Sequence, residues 1–436
     1  MPHLIRTAAI ACGLAVAFSA HAAKPAKPTK AAKTTAAASA GPVEIDLANQ
    51  LGQAAEGRLQ QLVERFNHEQ KDFVVKLVPL AEGGKPAALN LVRRQDMADF
   101  LSQKGRLKPL YQVMSEAKVP FSAASLSTDL KAGVSDEKGK LVALPVAYST
   151  PVLFYNKAAF RKAGLDPEKP PKTWWEMQET AGKLFDAGYQ CPYTSSWPTW
   201  VHVDNLSALS SAPVATAKGE LVFNGLAEVK HVAMLASWTK AKYFRHFGRR
   251  DEADKHFASG ECAMITTDSA AHTEFREASG IDLGVSPMPH HDDVYGGRQH
   301  TLADGASLWV GGGYKPLEYK AAARFVAFLM APESQVELAR MYGQVPLTQA
   351  ARNALKAKVV QDRDPTSEVA YASLKGEGGQ PQLRVSAIDP VRAIVDEELE
   401  AVWDDQKPAK AALDTAVARG NALLSAKPAL KKAVPF

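Results

Sequence analysis

Few residues in this chain have the types and spacing that chemistry requires. His290-His291-Asp292-Asp293 has the ligand types of a metal site, and Asp396-Glu397-Glu398 with Glu400 has the paired carboxylates a glycosidase would use. Adjacent side chains diverge, and Pro287, Pro289, Gly296 and Gly297 mark an exposed loop, so the histidine stretch predicts a solvated turn rather than a metal centre. The four acids fall on a helix at spacings that spread them over its outer face, which predicts a solvated charge run. The sequence contains no GxSxG elbow, no GxxxxGK[ST] loop, no HExxH and no GxGxxG opening a helix after a strand. Gly311-Gly312-Gly313 follows a strand and reads as a hinge or turn. No catalytic group, cofactor or metal is therefore expected.

A different kind of chemistry is suggested by Ala143 to Lys157, ALPVAYSTPVLFYNK. A buried strand breaks at Ser149-Thr150-Pro151 and resumes as a second apolar run. Proline cannot serve a central ladder, while a serine hydroxyl can be aimed at a ligand. The break fits a chain crossing from one lobe to another, with Ser149 lining the space between; a plain hydroxyl-stabilised turn is the alternative.

The elements that would position such a site alternate between helix and strand, which predicts α/β lobes with largely parallel sheets. Leu59, Leu62, Val63 and Phe66 share one helix face, and FVVKLVPL after them reads as a strand. Thr173-Trp174-Trp175-Glu176 has capping-box form, with the helix ending at Gly188. Leu226, Val229, Val232 and Leu235 mark another helix, followed by strands Cys262–Thr266 and Gly305–Val310. Helices are expected at Leu317–Met330, Pro332–Met341, Val391–Trp403 and Pro408–Leu424. Ala351 to Leu383 is polar and punctuated by Gly376, Gly378 and Gly379, and predicts a long surface excursion.

With 436 residues, 46% hydrophobic and 23% charged, the chain reads as a globular protein of two lobes. Residues 1–22 pair Arg6 with an apolar region and an Ala20-His21-Ala22 cleavage site, which predicts a secretory signal peptide. The apolar run continues past Cys12, which argues against lipid attachment there. Residues 23–42, rich in Ala, Lys, Pro and Thr, cannot bury a core and read as a flexible tether. The net charge of +5 arises from Arg6, Lys24, Lys27, Lys30 and Lys33; the remaining 47 basic residues match 47 acidic ones, so nothing supports a nucleic-acid groove. In an exported chain, Cys191 and Cys262 are open to one disulfide or two buried thiols. An exported two-lobed chain without catalytic machinery points to a binding protein that closes around a small solute.

The stretches STPVLFYNKAAFRKAGLDPEKPPKTW, Trp197-Pro198-Thr199-Trp200, FASGECAMITT, GASLWV and RAIVDEELEAVW running on to ALDTAVARGNALL closely resemble the UgpB family, periplasmic sn-glycerol-3-phosphate-binding proteins of ABC importers. The resemblance spans about Leu59 to Leu424. It implies the maltose-binding-protein fold of two hinged α/β lobes: lobe 1 from 43–150 plus about 283–335, lobe 2 from 151–282 plus about 336–436. It implies a monomeric periplasmic receptor that hands a phosphate ester or polyol to membrane permease subunits. Ligand positions match Ser149, Trp197, Trp200, Gly305 and Arg392: indoles suit a polyol's C–H surface, a glycine admits backbone to the ligand, and a guanidinium forks onto phosphate. Arg392 could instead pair with Asp389 or Asp396, and the tryptophans could be core. The chain departs from the family near Gly83 and Gln95, at Asp268 where a serine is usual, and at Gln344 where a tyrosine is usual. An aspartate at 268 would cap the following helix and repel a phosphate, so a cation-bearing glycerophosphodiester or a neutral polyol suits it better. A sugar receptor of the same fold, and a secreted phosphodiester- or glycan-cleaving enzyme, remain the alternatives.

Overall fold

The computed structural model describes residues 41–49, 53–80, 85–93, 97–102, 107–126, 128–131, 134–136, 138–216, 218–293, 300–362, 365–374 and 385–426. The expected signal peptide and nearly all of the tether lie outside these residues, as do the positions near Gly83 and Gln95.

The described strands are β1 (Val43–Asn49), β2 (Phe73–Pro79), β3 (Leu89–Val92), β4 (Leu107–Lys108), β5 (Leu144–Ser149), β6 (Pro151–Asn156), β7 (Cys191–Ser195), β8 (Cys262–Asp268), β9 (Leu283–Pro287) and β10 (Asp304–Gly311). They form two sheets. The first runs β2-β1-β3-β10, with β5 and β4 on the far edge of β10, and the second runs β7-β8-β6-β9. Thr150 alone separates β5 in the first sheet from β6 in the second, so the interrupted strand is an interlobe crossing. The chain crosses again between β9 and β10.

These crossings explain why the sheets are mixed rather than largely parallel. β1 pairs in parallel with β2, and β7 with β8, across return connections that carry helices, and β1 also pairs in parallel with β3. β10 and β6 enter their sheets from the hinge without such a return, and all of their pairings are antiparallel. The lobe boundary expected near 283 also moves. Leu283–Pro287 pairs along β6, so the crossing into the first sheet comes after it.

Helix Gln53–Glu69 buries the expected Leu59, Leu62, Val63 and Phe66. Thr173 caps Trp174–Asp186 with the reciprocal Glu176 bond of a capping box. Helix Leu226–Lys240 is rotated from its expected face. It buries Glu228, His231, Val232, Leu235 and Trp238 and leaves Leu226 exposed, because Ser207 and the neighbouring imidazoles satisfy the buried polar groups.

Most of the expected surface excursion is helical, at Gln349–Asp362 and Thr366–Ala372. Among the described residues its buried positions are Ala351, Leu355, Thr366, Ser367, Ala370 and Leu374, mostly small or polar, and they leave no apolar period to read. Ala370 lies against the first crossing, where its carbonyl accepts a bond from Thr150 Oγ1 at 3.1 Å. Leu338, Val345, Leu347, Ala370 and Leu374 join a core that holds Leu308 and Trp309 of the first sheet and extends to Phe154 and Ile265 of the second. The 336–436 segment therefore belongs to the second lobe's own core only from Val391 onward.

Cys191 and Cys262 are register partners on β7 and β8 and are joined by a disulfide. Replacing both with alanine removes a cross-link spanning 71 residues. From loop-closure entropy the loss should be about 4 kcal/mol, read as a lower urea midpoint. An unchanged midpoint would show that the bridge does not constrain the unfolded chain.

Candidate functional site

Gly305 opens the site because it lets two strands close up. A Cβ there would come within 1.9 Å of the Ala147 carbonyl oxygen, so only glycine allows β5 and β10 to pair at this point. The expected approach of backbone to ligand is thus preceded by an approach of backbone to backbone. That pairing places Asp304 opposite Ser149, whose Oγ lies 3.5 Å from the Asp304 carbonyl.

Asp304 in turn reaches the second lobe. One carboxylate oxygen accepts the Gly305 N–H at 2.7 Å and the other accepts Arg392 Nη1 at 2.7 Å. Arg392, on helix Val385–Trp403, also places Nε and Nη2 on Asp204 Oδ2 at 2.7 Å each. These partners are not the Asp389 or Asp396 that the sequence offered as the alternative to ligand binding. Burial opposes the Arg392 charge, but Asp204, Asp304 and Asp389 outweigh it and raise its pKa.

The tryptophan motif is held against the same helix. Thr199 donates its hydroxyl and its N–H to Asp396 Oδ1 at 2.5 and 3.3 Å. At its start, Ser196 Oγ donates to the buried Asp254 at 2.6 Å. Burial pushes Asp254 up to about 8 and Asp396 up to about 7, against the lowering effect of these hydroxyls. Trp197 adopts φ 53°, a left-handed conformation rare for a bulky side chain, and its N–H is tied to the Arg250 carbonyl. It is only partly buried, whereas Trp200 is 1% exposed and belongs to the second core. The pair thus divides between a partly open indole and a packed one behind it.

Asp268 closes the other side of the first crossing, opposite Pro151. Its carboxylate caps the short turn Ser269–Ala271 through the Ala270 N–H at 2.8 Å, as expected of an aspartate there. Gly343 packs against that turn so closely that a Cβ would lie 2.2 Å from the Ser269 carbonyl. Val345 donates its N–H to Tyr148 beside Ser149. Gln344 is held between them, 4% exposed, and its Oε1 has no hydrogen-bond partner among the described residues.

Ser149, Asp268, Gly305, Gln344, Arg392 and the turn bearing Trp197 and Trp200 are thus linked through short contacts at the interlobe crossing. The sequence reading missed Asp204, Asp304, Asp254 and Thr199. Asp304 directly precedes the glycine of GASLW, and the surplus of acids near Arg392 was the available signal.

The two discarded clusters also change character. His291 does not simply face solvent: its Nε2 lies 3.1 Å from His231 Nδ1, and His231 Nε2 lies 3.0 Å from His202 Nδ1. The row continues through Tyr193 to Thr266 and Ser195. Burial lowers His202 to about 3, with His246 adding to it, and holds His231 well below its ordinary value, with His202 and His291 adding. Of the helix acids, Glu398 is buried between Lys407 and Arg419, and Asp396 serves the tryptophan turn. Among the described residues no group of three His, Cys, Asp or Glu could hold a metal ion.

A family model described as bacterial extracellular solute-binding protein matches residues 61–365. The sn-glycerol-3-phosphate-binding periplasmic protein UgpB of Pectobacterium atrosepticum is 37% identical over 392 residues, covering 84% of this chain and 88% of the relative. The crystal structure of UgpB from Mycobacterium tuberculosis in complex with glycerophosphocholine has a TM-score of 0.74 at 19% identity, covering 89% of this chain and all of the other. A cyclic α-maltosyl-1,6-maltose binding protein from Arthrobacter globiformis gives 0.72 at 18% identity, covering 88% and 100%. At these identities the structures establish the two-lobed maltose-binding-protein-like fold.

The buried acids and histidines impose opposite pH dependences. Histidines with lowered pKa stabilise the fold above about 6.5, and that stability is lost as pH falls; carboxylates with raised pKa stabilise it at low pH, and that stability is lost as pH rises. Both act at mildly acidic pH, and above about 6.5 the carboxylates act alone. From pH 6.5 to 8.5 the unfolding free energy should therefore fall by roughly 2 kcal/mol, and Asp254→Asn should flatten the fall. A wild-type stability that holds constant across this range in urea titrations would refute the assignment.

Proposed function

The chain belongs to the bacterial extracellular solute-binding protein family, and on that premise we propose that its ligand is a glycerophosphodiester with a cationic headgroup. The protein binds it in the periplasm after export through a cleaved signal peptide and delivers it to the permease of an ABC importer. Binding, not catalysis, is the function.

The observation that supports this ligand is the state of Arg392. In a phosphate receptor the guanidinium would offer its fork to the ligand. Here Asp204 and Asp304 occupy it from two directions, with Asp389 nearby and Asp268 at the same crossing. Asp204 and Asp304 thus take up the fork of this arginine. At an effective dielectric near 20, each added like charge at ~5 Å costs about 3 kcal/mol, which disfavours the dianionic phosphate of a monoester. A phosphodiester has one negative charge, and its cationic headgroup gains from the acids and from the partly open face of Trp197. Gln344 can accept a hydrogen bond from a glycerol hydroxyl.

The second reading is glycerol-3-phosphate itself, favoured by the names of the curated relatives. Calorimetry separates the two. Glycerophosphocholine is expected to bind at least tenfold more tightly than glycerol-3-phosphate, with no heat from glycerol or maltose. Asp268→Ser should raise glycerol-3-phosphate affinity by about tenfold. Tighter binding of glycerol-3-phosphate by the wild type, or no gain in the variant, would reverse the assignment.

A further inference from the structure

We infer that a cavity at the second interlobe crossing is a separate binding site for a small amphiphilic carboxylate. The cavity, of about 320 Å³, is lined by Ser286, Pro287 and Met288 at the end of β9, by Thr301 shortly before β10, by Ala372 and Ser373, and by Leu209, Lys172 and His290. None of the residues assigned to the first site lines it. The inference is therefore independent of the ligand proposed above.

The lining sorts into two parts. Leu209, Pro287, Met288 and Ala372 offer an apolar wall, while Lys172, His290 and Thr301 offer donors. Thr301 is 1% exposed, and its Oγ1 makes no hydrogen bond among the described residues. Its backbone is fixed by donation to the Ser373 carbonyl at 2.7 Å. The Ser373 hydroxyl is already committed to Val369, so it does not compensate. A buried hydroxyl left unpaired is costly, and a ligand oxygen would recover that cost. Lys172 forms no ion pair among the described residues, and its backbone is pinned by Glu176 and His290. A carboxylate has two oxygens to accept from Lys172 and Thr301, with its chain against Met288 and Leu209. The volume equals roughly ten waters at ~30 Å³ each, enough for a chain of about eight carbons.

The placement gives such a ligand a consequence. The strand entry from Thr301 to Asp304 leads to the carboxylate that holds Arg392. An occupant wedged between the end of β9 and Thr301 bears on the segment joining the two sheets. It should therefore be coupled to the first site, reciprocally in binding free energy.

The test is calorimetric titration of the full mature chain with octanoate, with octylammonium and 1-octanol as cationic and neutral arms of equal length. Octanoate is expected to bind one-to-one with a dissociation constant below about 1 mM, and the other two at least tenfold more weakly. Lys172→Met and Thr301→Val should each weaken octanoate binding about tenfold while leaving the far-UV spectrum unchanged. Lys172 is not a core residue, so its variant reports binding even if Thr301→Val loses stability. No heat from octanoate, equal binding of the three arms, or wild-type affinity in Lys172→Met would overturn the proposal.

Discussion

The structure around the crossing depends on Arg392 being shared between two carboxylates on different elements. Asp304 opens the last strand of the first sheet, Asp204 ends the turn after Trp200, and Arg392 rides a helix of the second core. A single buried guanidinium would be costly to desolvate, and its two partners make the burial tolerable without making it a large source of stability. What the arrangement provides is registry. It fixes the start of β10, and so Gly305 and Ser149, relative to the helix that holds Thr199 and Asp396. The same shared occupancy engages the guanidinium from two directions.

A second principle governs the surroundings: buried polar groups here are used as spacers between elements. Asp254 and Asp396 grip the tryptophan turn at both ends through hydroxyls, and that grip maintains a left-handed Trp197 that its own conformational preference would abandon. The histidine row links the 290s segment to β7 and β8 in the same way. Each neutral imidazole can donate at one nitrogen and accept at the other, so the row is fully bonded with all three neutral and breaks if two adjacent rings are charged. The burial that lowers their pKa values and the hydrogen bonds that order them therefore support one another.

The first interlobe connection is short, and it is braced by residues far away in sequence. Thr150 is held by Ser269 and Ala370, and Gly343 by close contact with Ser269. Solute capture by a hinged receptor requires that such joints have two arrangements of similar energy, with the ligand touching both walls. Small residues at the joints, glycine above all, allow backbones to meet where side chains would hold them apart.

Much of this was legible in the sequence where the physics is local. The capping box at Thr173, the helix face of Leu59 to Phe66 and the proline break after Ser149 depend on neighbours within a few residues, and each was found where expected. The stretches resembling known receptors brought Ser149, Asp268, Gly305, Gln344 and Arg392 forward as a group. Tertiary structure alone decided which polar groups are buried. Glu228, His231, His202 and Asp396 look like surface residues until a partner from another element satisfies them, and no period in the chain announces that partner. It also decided the strand directions at the hinge, the helical character of 349–362 and 366–372, and the partners of Arg392. Each of these is a contact between segments separated by many residues, whose free energy exists only once the chain has closed on itself.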